Sequence, residues 1–108
     1  MSKYNSQKVT YNGINFESKK ECGRYRELLL LERAGKIQNL MLQPRYTLQE
    51  AFRRNGKAIR KIEYVADFCY CADGKSIVED VKGMKTDVYK LKKKLFLCKY
   101  PNADFREV

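Results

Sequence analysis

The sequence predicts a single α+β domain spanning residues 1–108, and three observations predict it. Asn12-Gly13 and Asp73-Gly74 each separate two β-prone runs, the pairing that favours tight hairpin turns. Two other segments carry helical spacing behind a capping residue, Ser18 for one and Thr86 for the other. At 108 residues and 44% apolar content, the chain can fill one modest core and not two.

The elements follow in order. Residues 8–17, KVTYNGINFE, form a hairpin around Asn12-Gly13. Ser18 and Glu21 stand three apart as a capping box, opening a helix from about Lys19 to Ala34. Cys22, Tyr25, Leu28, Leu29 and Glu32 follow its spacing, and Gly35 stops it. Pro44 bars helix, so Arg45 to Phe52 is expected as a strand, with Arg53-Arg54-Asn55-Gly56 as a turn. A long strand is expected over Lys57 to Cys71, then Asp73-Gly74 and a strand over Ser76 to Lys82. Thr86 caps a second helix, about Asp87 to Lys99, with Val88, Leu91, Leu95 and Cys98 as its apolar stripe. Pro101 ends it, and Phe105 to Val108 closes the chain as a short strand. The expected order is hairpin, α, β, β, β, α, β on a mixed sheet.

Composition excludes several functions. No apolar run approaches the ~20 residues a membrane helix needs. The start, MSKYNSQK, has no signal-peptide core, so export is not expected. Cys22, Cys69, Cys71 and Cys98 include no CxxC pair and are expected as reduced thiols. The absence of histidine removes Ser-His, Cys-His and histidine-metal chemistry. Any hydrolysis must then use carboxylates, lysines, tyrosines or a metal held by oxygen. The 23 Lys and Arg against 13 Asp and Glu give a net charge of +10, which favours a polyanionic partner.

The candidate chemistry centres on Asp67, Asp80 and Lys82. Asp67 interrupts an apolar run, EYVADFCYC, where strands disfavour aspartate. With Asp73 and Gly74 as a two-residue loop, Ala72 pairs with Lys75, and the same register carried back places Asp67 opposite Asp80. The two carboxylates would share a face with Val78 and Lys82, with Val65 opposite Lys82. The other face would hold Tyr64, Ala66, Phe68 and Tyr70 against Ile77, Glu79 and Val81, packed on a helix. Opposed carboxylates repel unless a cation lies between them, and Mg²⁺ takes oxygen ligands of this kind. Gln43, before Pro44, has two readings, lining the cleft and a plain turn role, of which the turn role is the expectation.

These residues carry a resemblance. Asp67 followed by Asp80-Val81-Lys82, in consecutive strands after an opening helix, resembles the PD-(D/E)XK nuclease superfamily with its αβββαβ, restriction-endonuclease-like core. The stretches FESKKE at 16–21, LQPRYTL at 42–48, YVADF at 64–68 and VEDVKG at 78–83, followed by Thr86, Tyr89 and Lys92, resemble more closely a family of small phage and prophage proteins of that type. The resemblance implies that Asp67 is the motif's first acid, Asp80 its second and Lys82 its lysine. Ala66 stands where the motif has proline, and Asp80 where it more often has glutamate. It further implies hydrolysis of DNA phosphodiesters, Mg²⁺ (with Mn²⁺ as a substitute) held by Asp67, Asp80 and Glu21, and a bacterial cytoplasm as the setting. If the substrate is a four-way junction, a two-fold homodimer is implied.

Glu21 has two readings at this stage, a capping residue with a complete structural explanation and a metal ligand from the helix start. Lys85, Lys90, Lys92, Lys93 and Lys94, with Lys99 farther along, make one candidate phosphate-tracking surface, although a solvated helix face is the ordinary explanation of such a run. Arg53 and Arg54, with Lys57, Arg60 and Lys61, make a second basic cluster. Two rival functions remain: a nucleic-acid-binding module without catalysis, and a phage factor that captures a host protein.

Overall fold

The computed structural model describes residues 7–81 and 85–108. It is an α+β domain. A four-stranded mixed sheet at the centre is covered on one face by a helix and a small hairpin, and on the other by a second helix and a long β-ribbon.

The N-terminal hairpin pairs β1 (Val9–Tyr11) with β2 (Ile14–Phe16) around Asn12-Gly13. Both turn residues have positive φ, 52° and 74°, the conformation a two-residue hairpin loop requires. Helix α1 (Lys19–Arg33) begins where the capping box puts it, with the Glu21 amide donating to Ser18 Oγ at 3.1 Å. Cys22, Tyr25 and Leu28 are buried on the expected spacing, Leu29 is half-buried, and Gly35 takes φ +75° just past the end. These residues pack with Phe16, Ile37, Phe68, Tyr70 and Ile77 in the first core.

The central sheet has the order β10-β9-β8-β3. Strand β3 (Gln38–Leu42) has no counterpart among the elements the sequence predicts. It pairs antiparallel with β8 (Phe68–Ala72) through a bulge between Gln38 and Met41. Asn39 has φ 58° within the bulge, and the freed Leu40 amide donates to Glu32 Oε2 at 3.0 Å. Glu32 thus lies on the helix's inner side because it satisfies a bulged strand. Strand β9 (Lys75–Asp80) pairs antiparallel with β8, Phe68 opposite Glu79 through Ala72 opposite Lys75, the register the Asp73-Gly74 turn predicts. Strand β10 (Asp104–Glu107) lies parallel to β9 and is reached through α2 (Asp87–Lys99), the crossover a parallel pair needs.

The segment expected as two sheet strands is instead a separate ribbon. Strand β4 (Arg45–Gln49) pairs with β7 (Ile62–Val65), and β5 (Phe52–Arg54) pairs with β6 (Lys57–Ile59). Neither pair joins the central sheet among the described residues. Arg53 and Arg54 are therefore strand residues, and the loop is Asn55-Gly56 alone. The expected long strand from Lys57 to Cys71 is interrupted twice, at Arg60-Lys61 and at Ala66-Asp67.

The second interruption reverses part of the face assignment. Tyr64 and Ala66 pack with Val78, Tyr89 and Phe96 in the second core, whereas Phe68 and Tyr70 join the α1 side as expected. The chain leaves one strand partner, β4, and takes up others, β3 and β9, so the two-residue alternation does not carry across the join. Val65 is 40% exposed and pairs with Arg45. Helix α2 is also rotated from expectation. Val88, Leu91, Leu95 and Cys98 face solvent, while Tyr89 and Phe96, seven residues apart on one face, meet the ribbon and sheet. Phe96 is fully buried against Tyr46, Tyr64, Tyr100 and Phe105. No helix among the described residues is long and apolar enough to cross a membrane.

Candidate active site

Three acids come together at the ends of three elements. Glu21 lies in the first turn of α1, Asp67 in the bend between β7 and β8, and Asp80 at the end of β9. Glu21 is 7% exposed and Asp80 1%, and Asp67 is partly buried. Their proximity shows in the Asp67 carboxyl. Burial raises its pKa from the ordinary 3.8 to about 8; the neighbouring Asp80 charge adds to burial, and Glu21 contributes further. A hydrogen bond from the Val81 amide to Asp67 Oδ2, at 2.6 Å, pulls the other way.

The ladder places these groups differently from a continuous hairpin. Its last pair is Phe68 with Glu79, and the Asp67 amide then donates to the Glu79 carbonyl at 3.1 Å. Asp67 therefore does not pair directly with Asp80. The backbone bend brings its carboxylate to the amide at the end of β9. On the other side, the Gln43 amide donates to the Asp67 carbonyl at 2.9 Å, and Gln43 has φ 50°. The turn role expected for Gln43 is thus a backbone brace for Asp67.

Tyrosines surround the acids. The Tyr64 hydroxyl donates to Asp80 Oδ2. Burial raises the Tyr64 and Tyr89 hydroxyl pKa values above the ordinary range, and the charges of Asp80 and Asp67 add to both shifts. Strand alternation places Tyr64 on the opposite face, and the reversal at Ala66-Asp67 is what brings it here.

The remaining buried acid, Glu79, points to the α1 side as expected and has its own partner. Arg24 grips it with two bonds, Nε to Oε1 at 2.8 Å and Nη2 to Oε2 at 2.6 Å, and the Tyr70 hydroxyl donates to the same carboxylate. Burial pushes the Glu79 pKa up, but Arg24 and Tyr70 outweigh it and hold the group below the usual carboxylate range. Sequence reasoning misses Arg24; its spacing from Cys22, Tyr25 and Leu28 holds no sign of a partner 55 residues away.

Lys82 lies outside the described residues. Lys85, just before α2, and Lys93 within it each approach Glu107 Oε1 at 3.2 Å, and Tyr89 donates to Glu107 at 2.6 Å. The Tyr89 hydroxyl first, then the two lysines, hold the Glu107 pKa down to about 2. Lys90 and Lys94 line a shallow cleft of ≈ 290 Å³ along with them, and Lys92 is half-buried. Arg53 and Arg54 lie at the ribbon's exposed end, whereas α2 packs on β4 and β7 at its base.

The three acids offer only oxygen donors, which suits a hard divalent cation such as Mg²⁺ or Mn²⁺. Among the described residues, however, no group of three or more His, Cys, Asp or Glu side chains stands in metal-holding geometry. One Asp67 oxygen is turned to Val81 and one Asp80 oxygen to Tyr64. Burial and the neighbouring acids raise the Asp67 pKa, so a proton and a cation would compete for that carboxylate.

The sequence model of one protein family, described as "Protein of unknown function (DUF1064)", matches residues 1–107. The chain belongs to the DUF1064 family. The family description assigns it no chemistry. No curated protein and no solved structure matches the chain.

Proposed function

We propose that this DUF1064 chain is a metal-dependent endonuclease acting on DNA. The observation that carries the reading is the burial of Asp67 beside Asp80 and Glu21, which makes one carboxyl strongly proton-binding. Like charges gathered in a poorly solvated place cost stability, and such an arrangement is a mark of functional sites. Three further features support it: the oxygen-only donor set, the net charge of +10, and a core order of α1, β3, β8, β9, α2, β10.

In this reading Asp67, Asp80 and Glu21 would hold Mg²⁺ or Mn²⁺, with Asp67 ionised. Bound there, the ion would supply a water of lowered pKa and neutralise charge on the phosphate. Tyr64 positions the Asp80 carboxylate, and the Gln43 and Val81 amides position Asp67. Lys82, two residues beyond Asp80 in sequence, is assigned the attacking water or the phosphate. Lys85, Lys90, Lys92, Lys93 and Lys94 track the DNA backbone along α2. A branched DNA such as a four-way junction, cut by a two-fold dimer in a bacterial cytoplasm, fits a small chain with little room for sequence readout.

The test is cleavage of linear and branched DNA with Mg²⁺ by wild type, Asp67→Asn and Asp80→Asn. Loss of metal-dependent cleavage in both variants is expected; cleavage that survives both substitutions would sink the assignment. A second reading has its own observation: the Val81 amide already donates to Asp67 and the Tyr64 hydroxyl to Asp80. On that reading the chain binds DNA without cutting it, and tight metal-independent binding with no cleavage on any substrate would favour it.

A further inference from the structure

The distal half of the β4–β7 ribbon stands apart from the rest of the molecule. Every residue from Gln49 to Ile62 is exposed. The pairs Gln49 with Ile62, Phe52 with Ile59 and Arg54 with Lys57 belong to one register, so β5–β6 continues β4–β7 outward to the Asn55-Gly56 turn. About six residues per strand at ~3.4 Å each make an arm about 20 Å long. Among the described residues β5 and β6 hydrogen-bond as strands only to each other.

The arm's composition is one-sided. The arm, residues 49–62, contains Arg53, Arg54, Lys57, Arg60 and Lys61 against one acid, Glu50. Lys61 lies 3.5 Å from Glu63 at the arm's base. Among the described residues the other four have no carboxylate within ion-pair distance. A two-stranded ribbon with solvent on both faces is marginal on its own, and this one also exposes Phe52, Ile59 and Ile62 by 46%, 38% and 37%. Its charge calls for a polyanion. A second copy of the chain would bring like charge against it, and basic edges resist strand addition.

The arm's shape selects the form of that polyanion. A two-stranded ribbon fits the major groove of a duplex, which is roughly 12 Å wide. Single-strand binders need a run of aromatic platforms, and this arm has one aromatic residue, Phe52. We propose that residues 49–62 form a ribbon that enters the groove of duplex DNA, with Arg53, Arg54, Lys57 and Arg60 on its phosphates. The proposal rests on the nuclease reading only in taking DNA as the polyanion.

The experiment measures binding of the full chain, in EDTA, to a labelled DNA duplex of about two helical turns and to one of its strands alone. It is run over a salt series, with wild type and the variant Arg53→Gln/Arg54→Gln/Lys57→Gln/Arg60→Gln. Wild type is expected to prefer the duplex. The variant's changed side chains lie in solvent and give up one bond, from Arg53 Nη2 to the Gly56 carbonyl at 2.8 Å. It is expected to melt close to wild type and to bind duplex roughly tenfold or more weakly. Its log–log salt slope should fall by about 0.9 for each phosphate the arm no longer neutralises. Unchanged duplex affinity in the variant overturns the proposal, as does equal affinity of wild type for the single strand. A wild-type dimer that the variant dissociates, with DNA affinity unaltered, also overturns it. Omitting metal separates this outcome from the nuclease reading. A chain that binds duplex through the arm and never cleaves with Mg²⁺ keeps the arm and loses the nuclease, while a cleaving chain indifferent to the variant does the reverse.

Discussion

Replacing Asp67 by asparagine removes a charge from the place where three acids converge, and its consequence is read as stability against pH. The folded-state pKa of Asp67 is raised from 3.8 to about 8, chiefly by burial and then by Asp80. The folded protein therefore keeps a proton that the unfolded chain has lost, so its contribution to stability is full below pH 3.8 and declines as pH rises toward 8. The slope is close to 1.4 kcal/mol per pH unit, so the loss between about pH 6 and 7.5 comes to about 2 kcal/mol. For a chain of this size that is a fall in Tm of about 8 °C. The chain has no histidine, the residue whose ordinary pKa falls in that interval. Thermal melts at about pH 6, 6.75 and 7.5, without metal, should show the decline in wild type and a flat profile in Asp67→Asn. At the alkaline end the variant should be the more stable, since its amide oxygen still accepts from Val81. A flat wild-type profile would overturn this account of Asp67, and so would a decline that persists in the variant. Adding Mg²⁺ should raise the wild-type Tm more at the alkaline end than at the acid end, because the ion and the proton compete for one carboxylate.

Two other outcomes follow from the packing. Arg24→Gln leaves Glu79 fully buried without its guanidinium partner and should cost about 3–5 kcal/mol in urea unfolding. Adding Glu79→Gln should recover part of that loss, because the stranded charge is then gone. Val88→Gln and Leu91→Gln should each change stability by no more than about 0.5 kcal/mol, because both side chains lie in solvent. A loss of several kcal/mol at either position would return the helix to the orientation its apolar spacing suggests.

Local chemistry explains why so many elements are legible in the sequence. Asn12-Gly13, Asn55-Gly56 and Asp73-Gly74 all turn with positive φ at both residues, a property of those pairs that needs no tertiary partner. The Ser18 and Thr86 caps likewise act within one turn, so both helices start where their caps stand. The β8–β9 register follows from turn length alone. Strand β3 is illegible because its bulge at Asn39 destroys the alternation a strand is recognised by, and its pairing comes from β8, far away in sequence.

At the candidate site, the two-residue turn that ties β8 to β9 already brings Asp67 and Asp80 to neighbouring strand ends, and this much is written in the order of residues. So is the restriction to chemistry without histidine. The remaining features arise from packing. The chain breaks at Ala66-Asp67 to change strand partners, which turns Tyr64 toward Asp80 and sets Asp67 against the Val81 amide. Packing of α1 on the sheet buries Glu21 beside Asp67 and joins Arg24 to Glu79. Helix α2 buries Tyr89 and Phe96, leaving its aliphatic stripe outside, because the ribbon and sheet beneath it offer an aromatic surface at that face. Turns and caps are settled by neighbours in sequence, whereas faces, partners and buried charges are settled by which surfaces meet, and no local pattern records that.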